Sequence, residues 1–582
     1  PLPGGGRVRL MRPANDLSRW RFLAVCAALL TLAITLLGRL VLLQVTDGGQ
    51  GAMFLKEQGA LRTVRTAEIP VYRGLITDRN GTPLAVSSPV VSLWANPQTL
   101  RDSPRLDELA TLLDLDSAVL QDKLALYAEK QFMYLARHQT PDFARKVLRE
   151  NIPGVHGERE YRRYYPAGEV TAQLLGLTNI DGHGIAGVEL GFEAWLRGVP
   201  GKKRFIKDLH GDAVRDFGVV EEPRPGNALA LSLDLRLQYA QHRELQRAMK
   251  ETGASAGSAV TVDAWTGEVL AVSNYPVFNP NSREALDFGS ARNRALTDAY
   301  EPGSIIKTLT LVAALESGKF HIDSLVDTSP GRIRVGAKVL HDPRNYGEIS
   351  VSTIIEKSSQ VGVTKIAQAI GHEAILDVLY RFGLGESTGT GFPGERAGRL
   401  PGPAHWSDID KVTLAFGYGL TATPIQLARA YAVIASGGVR RPLTLLKQTA
   451  DTPASGERVV DDAVAQQVLK VLDRVTEPGG TATLAQVRGF SVGGKTGTVH
   501  KVGQGGYLDD QYVAMFVGIA PMDSPRYVTA VLIDQPRGDH YGGGLAAAPV
   551  YSRITEEVLR IRNAQPNRAG MGALLAVSGG AQ

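Results

Sequence analysis

An apolar run covers residues 22–38, interrupted only by Thr31 and Thr35, and resumes after Arg39 at 40–43. At about 1.5 Å per residue, a helix over 22–45 reaches the ~30 Å hydrocarbon thickness of a bilayer, so the pattern predicts one membrane-spanning helix. Arg39 lies near its outer end, from where a long side chain can reach the interface. Arg7, Arg9, Arg12, Arg19 and Arg21 precede the run against Asp16 alone, whereas Gln44, Asp47 and Glu57 follow it with Lys56. That bias predicts a cytoplasmic tail over 1–21, an anchor over 22–46 and a body outside the cytoplasm. A cleaved signal peptide has a shorter core of roughly 7–15 residues, and a buried core helix leaves the one-sided arginines unexplained.

No later apolar stretch is long enough to span. From 51 to 224, short strand-like runs alternate with turns such as Asp78-Arg79-Asn80-Gly81, where Asn-Gly favours a tight hairpin. A polar helical stretch over 103–151 reads as an insertion with its own small core. The breaker-rich segment 221–227 marks the predicted domain boundary. Beyond it, Asp234 caps a predicted helix to about 251, with Leu237, Ala240, Leu245 and Ala248 on one side. Residues 259–263 and 269–273 read as a hairpin through Trp265-Thr266-Gly267. Two further strands, 512–520 and 527–534, lie near the C-terminus with helices in between, so one antiparallel sheet has to be assembled from both ends of this domain. The Gly- and Ala-rich end from 566 to 582 reads as a flexible tail.

At 582 residues the chain exceeds what a single hydrophobic core supports. Its 43% hydrophobic and 21% charged residues describe an ordinary globular body, and the net charge of +5 is dispersed, with no base-reading motif, so nucleic acid is not an expected partner. The one cysteine, Cys26, lies in the apolar run; the body is thiol-free. Histidine is sparse and no ligand spacing indicates a metal, so neither metal nor cofactor is expected.

Candidate chemistry comes from two short motifs. Ser304-Ile305-Ile306-Lys307 places a serine and a lysine three apart, which on a helix share a face, so the amine is expected against the hydroxyl. Pro302 and Gly303 place Ser304 at a helix start, where backbone N–H groups favour developing negative charge. A Lys307 kept neutral by desolvation accepts the hydroxyl proton. Lys495-Thr496-Gly497-Thr498 reads as a strand on which Lys495 and the threonine hydroxyls hold a carboxylate while Gly497 leaves room for a ligand. Taken singly, the first motif is also a helix-face lysine and the second an edge-strand turn. Their order and settings together are far more specific.

With these motifs the chain resembles the class B penicillin-binding proteins, which carry S-x-x-K, S-x-N and K-T-G in that order. The segments 73–81, 161–169 and 184–189 are similar to the family's pedestal motifs, as are 416–419 and 543–549 inside the catalytic domain; the 94–97 stretch resembles the division-type members. The resemblance implies an α+β protein: a single N-terminal transmembrane helix, an elongated mixed α/β pedestal (dimerisation-type) domain over 47–225, and a serine transpeptidase domain over 226–565 with a central antiparallel sheet flanked by helices. It implies Ser304 as nucleophile, Lys307 as base, Ser358 as proton relay, and Gln360, Lys495, Thr496, Gly497 and Thr498 as substrate contacts. The implied ligands are peptidoglycan stem peptides and β-lactams. The implied protein partners are a SEDS glycosyltransferase of the FtsW type and other division proteins. The implied location is the bacterial inner membrane, with the catalytic domain periplasmic.

One motif departs from the family. Ser358-Ser359-Gln360 stands where Ser-x-Asn is expected, which displaces the carboxamide by on the order of 1 Å. A catalytically weakened division scaffold therefore remains an alternative, as does a β-lactam-hydrolysing or sensing relative, which shares the acylating residues.

Overall fold

The structure is a computed structural model that describes residues 16–44, 53, 64–207, 213–282, 287–402, 406–449, 455–503 and 506–568. In chain order its elements begin with α1 (Asp16–Gln44), β1 (Val64–Ile69), β2 (Ile76–Thr77) and β3 (Pro83–Ala95). Next come α2 (Leu106–Leu112), α3 (Ser117–Leu126), β4 (Met133–Gln139), α4 (Pro141–Arg149), β5 (Val155–Tyr164), β6 (Gly201–Lys207), β7 (Ala213–Glu221) and β8 (Leu229–Ala230). Then follow α5 (Leu235–Thr252), β9 (Ala256–Asp263), β10 (Val269–Tyr275), α6 (Lys307–Glu316), α7 (Val351–Lys357) and α8 (Gln360–Ile370). The last are α9 (Pro424–Ala435), α10 (Asp462–Thr476), β11 (Gly493–Gly503), β12 (Gly506–Ala520), β13 (Tyr527–Asp534) and α11 (Ala548–Ile561).

Two compact units arise: Pro1–Val71 with Val199–Arg224, and Tyr72–Gly198 with Pro225–Gln582. In the first, α1 holds 26 residues, Arg19–Gln44, long and apolar enough to cross a membrane. The two threonines of its apolar run are satisfied within the helix: Thr31 Oγ1 donates to Ala27 O at 2.8 Å and Thr35 Oγ1 to Thr31 O at 2.7 Å. That internal pairing is what a hydrocarbon solvent demands. Strands β1, β6 and β7 form a separate antiparallel three-stranded sheet in that order.

In the second unit, β4, β3, β2 and β8 line up in one sheet, with β5 also on β3. The Asp78–Gly81 turn joins β2 to β3, with Gly81 at φ +86°. The insertion has the expected private core: Leu109, Leu120, Leu124, Met133 and Val147 from α2, α3, β4 and α4 pack together, fully buried. The three pedestal motifs meet in one buried ion cluster. Glu189, wholly buried, accepts from Arg163 Nε at 2.6 Å and from Arg73 Nε, while Arg73 also pairs with Glu193. Buried charges persist only when paired in this way.

The larger sheet has the order β10-β9-β13-β12-β11, all antiparallel. Strands from both ends of the domain thus meet at the β9–β13 seam, as their apolar runs predict. Every residue of β9 and β13 is buried, which requires helices on both faces. α5 and α11 pack with one another and on the sheet, and α9, buried along its whole length, packs on β9 and β13. Asp234 caps α5 by accepting from Arg236 N, and left-handed Gly253 ends it. Of the expected tail, Asn567 is tied down: it accepts from Ser491 N at 2.7 Å and donates to Asp523 Oδ1 at 2.6 Å. Residues 1–15 and 569–582 lie outside the described residues.

Candidate active site

Ser304 lies in a single 3₁₀ turn, Gly303–Ile306, immediately before α6, and not in the first α-helical turn that the motif suggests. The turn is held from behind, since Gly303 N donates to Gly417 O at 3.2 Å and Tyr300 pairs with Ala422 in both directions. It is pressed against β11. A Cβ on Gly303, at φ +55°, would fall 2.4 Å from Val499 Cγ1, and one on Gly497 would fall 2.9 Å from Pro302 O. Two glycines therefore allow the serine turn and the K-T-G strand to touch, a contact no other residue pair permits at these distances.

Lys307, the first residue of α6, is fully buried. Its amine donates to Ser358 O at 2.6 Å and to Ser358 Oγ at 3.1 Å. The hydrogen bond to Ser304 expected from the three-residue spacing is not formed; among the described residues the Ser304 hydroxyl has no hydrogen-bond partner. The reason is the 3₁₀ geometry of the turn together with the stronger acceptor offered by the Ser358 carbonyl. Ser358 presents that carbonyl because it caps α7 in the left-handed conformation, φ 56°, uncommon for a residue with a side chain.

An aspartate that no sequence motif flagged fixes this loop. Buried Asp342 accepts from Ser359 Oγ at 2.6 Å, Gln360 N at 2.6 Å and Val361 N at 3.2 Å, so one carboxylate caps α8 and locks the residues after Ser358. Its only trace in the sequence is a carboxylate before Pro343, which reads as a loop. Gln360 is the first residue of α8 and half-buried; its carboxamide makes no hydrogen bond among the described residues.

Lys495 is fully buried on β11, with its amine 3.4 Å from both Thr496 O and Thr496 Oγ1. Thr496 Oγ1 lies 3.3 Å from Thr481 Oγ1, and Thr498 Oγ1 accepts from Gly543 N at 2.9 Å. Burial lowers the Lys307 amine to about 7, against the opposing pull of Asp342. Burial, and then the charge of Lys307, hold Lys495 well below the ordinary lysine range. A nucleophile turn, a near-neutral amine and a second amine poised for an anion are thus packed together, a set suited to acyl transfer.

Residues 257–556 match the penicillin binding protein transpeptidase domain, and residues 68–231 the penicillin-binding protein dimerisation domain. The chain belongs to the penicillin-binding proteins. Within them it is 41% identical over 560 residues to the peptidoglycan D,D-transpeptidase FtsI of Escherichia coli K12, covering 95% of this chain and 94% of that protein. It is likewise 41% identical over 545 residues to the probable peptidoglycan D,D-transpeptidase PbpC of Pseudomonas aeruginosa, covering 93% and 95%. Among solved structures, a peptidoglycan synthetase from Bifidobacterium adolescentis aligns with TM-score 0.70 at 26% identity, over 87% of this chain and 98% of that one. Penicillin binding protein 3 from Mycobacterium tuberculosis in complex with aztreonam aligns with TM-score 0.66 at 29% identity, over 86% and 98%.

Proposed function

We propose that this protein is a serine D,D-transpeptidase that cross-links peptidoglycan stem peptides during septal wall synthesis and is acylated by β-lactams. The observation that carries the reading is the buried Lys307 amine, lowered to about 7 and held on Ser358 beside the nucleophile turn. A neutral amine there takes the Ser304 proton as Oγ attacks the penultimate D-Ala carbonyl. The C–N bond then breaks, and the proton passes from Lys307 through the Ser358 hydroxyl to the departing D-Ala amine. The acceptor strand's amine attacks the resulting ester, forms the amide and returns a proton to Ser304. The N–H groups of Ser304 and Thr498 serve the developing oxyanion, and Lys495, Thr496 and Thr498 receive the terminal carboxylate.

The arginine bias before the apolar run of α1 supports a cytoplasmic N-terminus, an inner-membrane anchor and a periplasmic catalytic body. The near full-length similarity to FtsI enzymes supports work beside an FtsW-type SEDS glycosyltransferase and other division proteins. The unpartnered Gln360 carboxamide favours one second reading, a catalytically weakened scaffold. A fluorescent penicillin separates the two: the wild-type chain is expected to form a lasting adduct that Ser304→Ala abolishes while its circular dichroism spectrum is unchanged. Equal labelling of that variant removes Ser304 from the nucleophile role, and adduct turnover within seconds favours hydrolysis over cross-linking.

A further inference from the structure

Three residues before the nucleophile stands a carboxylate that the mechanism above does not use. Glu301 Oε1 accepts from Gly419 N at 3.0 Å and Oε2 accepts from Tyr507 Oη at 2.9 Å. Both donors are neutral, and among the described residues no lysine, arginine or histidine lies within 4 Å of it. The charge is therefore fixed in place without being compensated. Gly419 sits two residues after Gly417, the anchor of the serine turn, and Tyr507 belongs to β12, the hairpin partner of the strand that carries Lys495. Tyr507 is 52% exposed, and its ring meets that of Tyr418 edge to face with centroids 6.1 Å apart. Burial and then Glu301 itself push the Tyr418 phenol up, so this hydroxyl stays neutral beside the carboxylate.

An oriented carboxylate beside two tyrosines suits a primary ammonium, which gains from the charge. It does not suit the donor peptide, whose anionic end it would repel and whose place is at Lys495. The acceptor in cross-linking is a primary amine, which near neutral pH arrives protonated, like a lysine of pKa ~10.4. We propose that Glu301, flanked by Tyr418 and Tyr507, is the acceptor subsite: it draws in the ammonium of the incoming stem peptide, which gives one proton to the neutral Lys307 amine and attacks the Ser304 ester as a free amine, its second proton passing to the departing Ser304 Oγ. This rests on the reading that an amine, and not water, resolves that ester. A purely structural Glu301 would instead only latch the β11–β12 hairpin to the serine turn.

Kinetics of the full-length protein in detergent, with a D-alanyl thioester as donor and meso-diaminopimelate as varied acceptor, distinguish these. Glu301→Gln is expected to raise the acceptor KM by at least about fivefold. It should lower acceptor kcat/KM by much more than the acylation rate with fluorescent penicillin. Glu301→Asp should recover part of the loss. Salt at about 0.5 M should raise the wild-type acceptor KM and leave that of Glu301→Gln unmoved. Equal losses in acylation and aminolysis would assign Glu301 to the latch and overturn the subsite. So would an acylating Glu301→Gln whose acceptor KM matches the wild type. Absence of any penicillin adduct on the wild-type chain would instead sink the transpeptidase reading, and the subsite with it.

Discussion

Lys307 has to be uncharged to accept a proton, and the fold achieves this by removing water from it instead of by deprotonating it with a neighbouring base. Because its amine is lowered to about 7, it is charged below that pH and free to act above it. Acylation by penicillin is therefore expected to rise with pH through about 7 and level off above it; a rate independent of pH between 6 and 8 would contradict this (about two pH units around the midpoint suffice). Gln360 makes the second residue-scale test. Its backbone is fixed by Asp342, so only the side-chain length separates it from the family's asparagine. Gln360→Asn should change the acylation rate more than about threefold, since an ångström of carboxamide displacement matters in a preorganised site. Stopped-flow labelling measures it. The roles of single residues were only partly legible in the sequence. Lys495 and Ser304 stood in motifs whose spacing has a local physical meaning. Asp342 did not, because its partners are 17 to 19 residues away on another element, and no period or spacing encodes such a contact.

At the scale of elements, the pattern carried further. β9 and β13 were readable because strands buried on both faces are near-continuous apolar runs, and α5 because it has a capping aspartate and an apolar side. The 3₁₀ turn at Ser304 was not, since its geometry is set by the glycine behind it and by the strand in front. That close approach is itself testable. Gly303→Ala places a methyl into Val499 and a side chain at positive φ, a cost of at least about 1–2 kcal/mol. A lower thermal midpoint and a loss of penicillin acylation of about tenfold or more are expected; an alanine variant as active and as stable as the wild type would mean the turn does not sit against β11.

For the whole molecule, three sequence segments separated by up to 116 residues share one buried ion cluster. Removing its centre leaves the buried Arg163 guanidinium without a carboxylate and Arg73 with Glu193 alone. Glu189→Ala is expected to destabilise the body by about 3–5 kcal/mol, the range for breaking a buried pair. Differential scanning fluorimetry would register it as a large fall in midpoint, and a shift as small as that of a surface variant would show the cluster to be solvated. The sequence displayed all three segments as motifs. It could not display their meeting, which is a property of the folded chain alone.

The seam in the large sheet has an effect on how the protein comes into being. Asp263 waits for Tyr527, so the ribosome releases the first hairpin long before the strand that closes its inner edge exists. Until then β9 offers open backbone to any passing chain, a hazard of distant strand pairing that calls for chaperoning. A premature stop between residues 307 and 527 therefore yields a product that already contains its serine and its first lysine but has no groove to put them in.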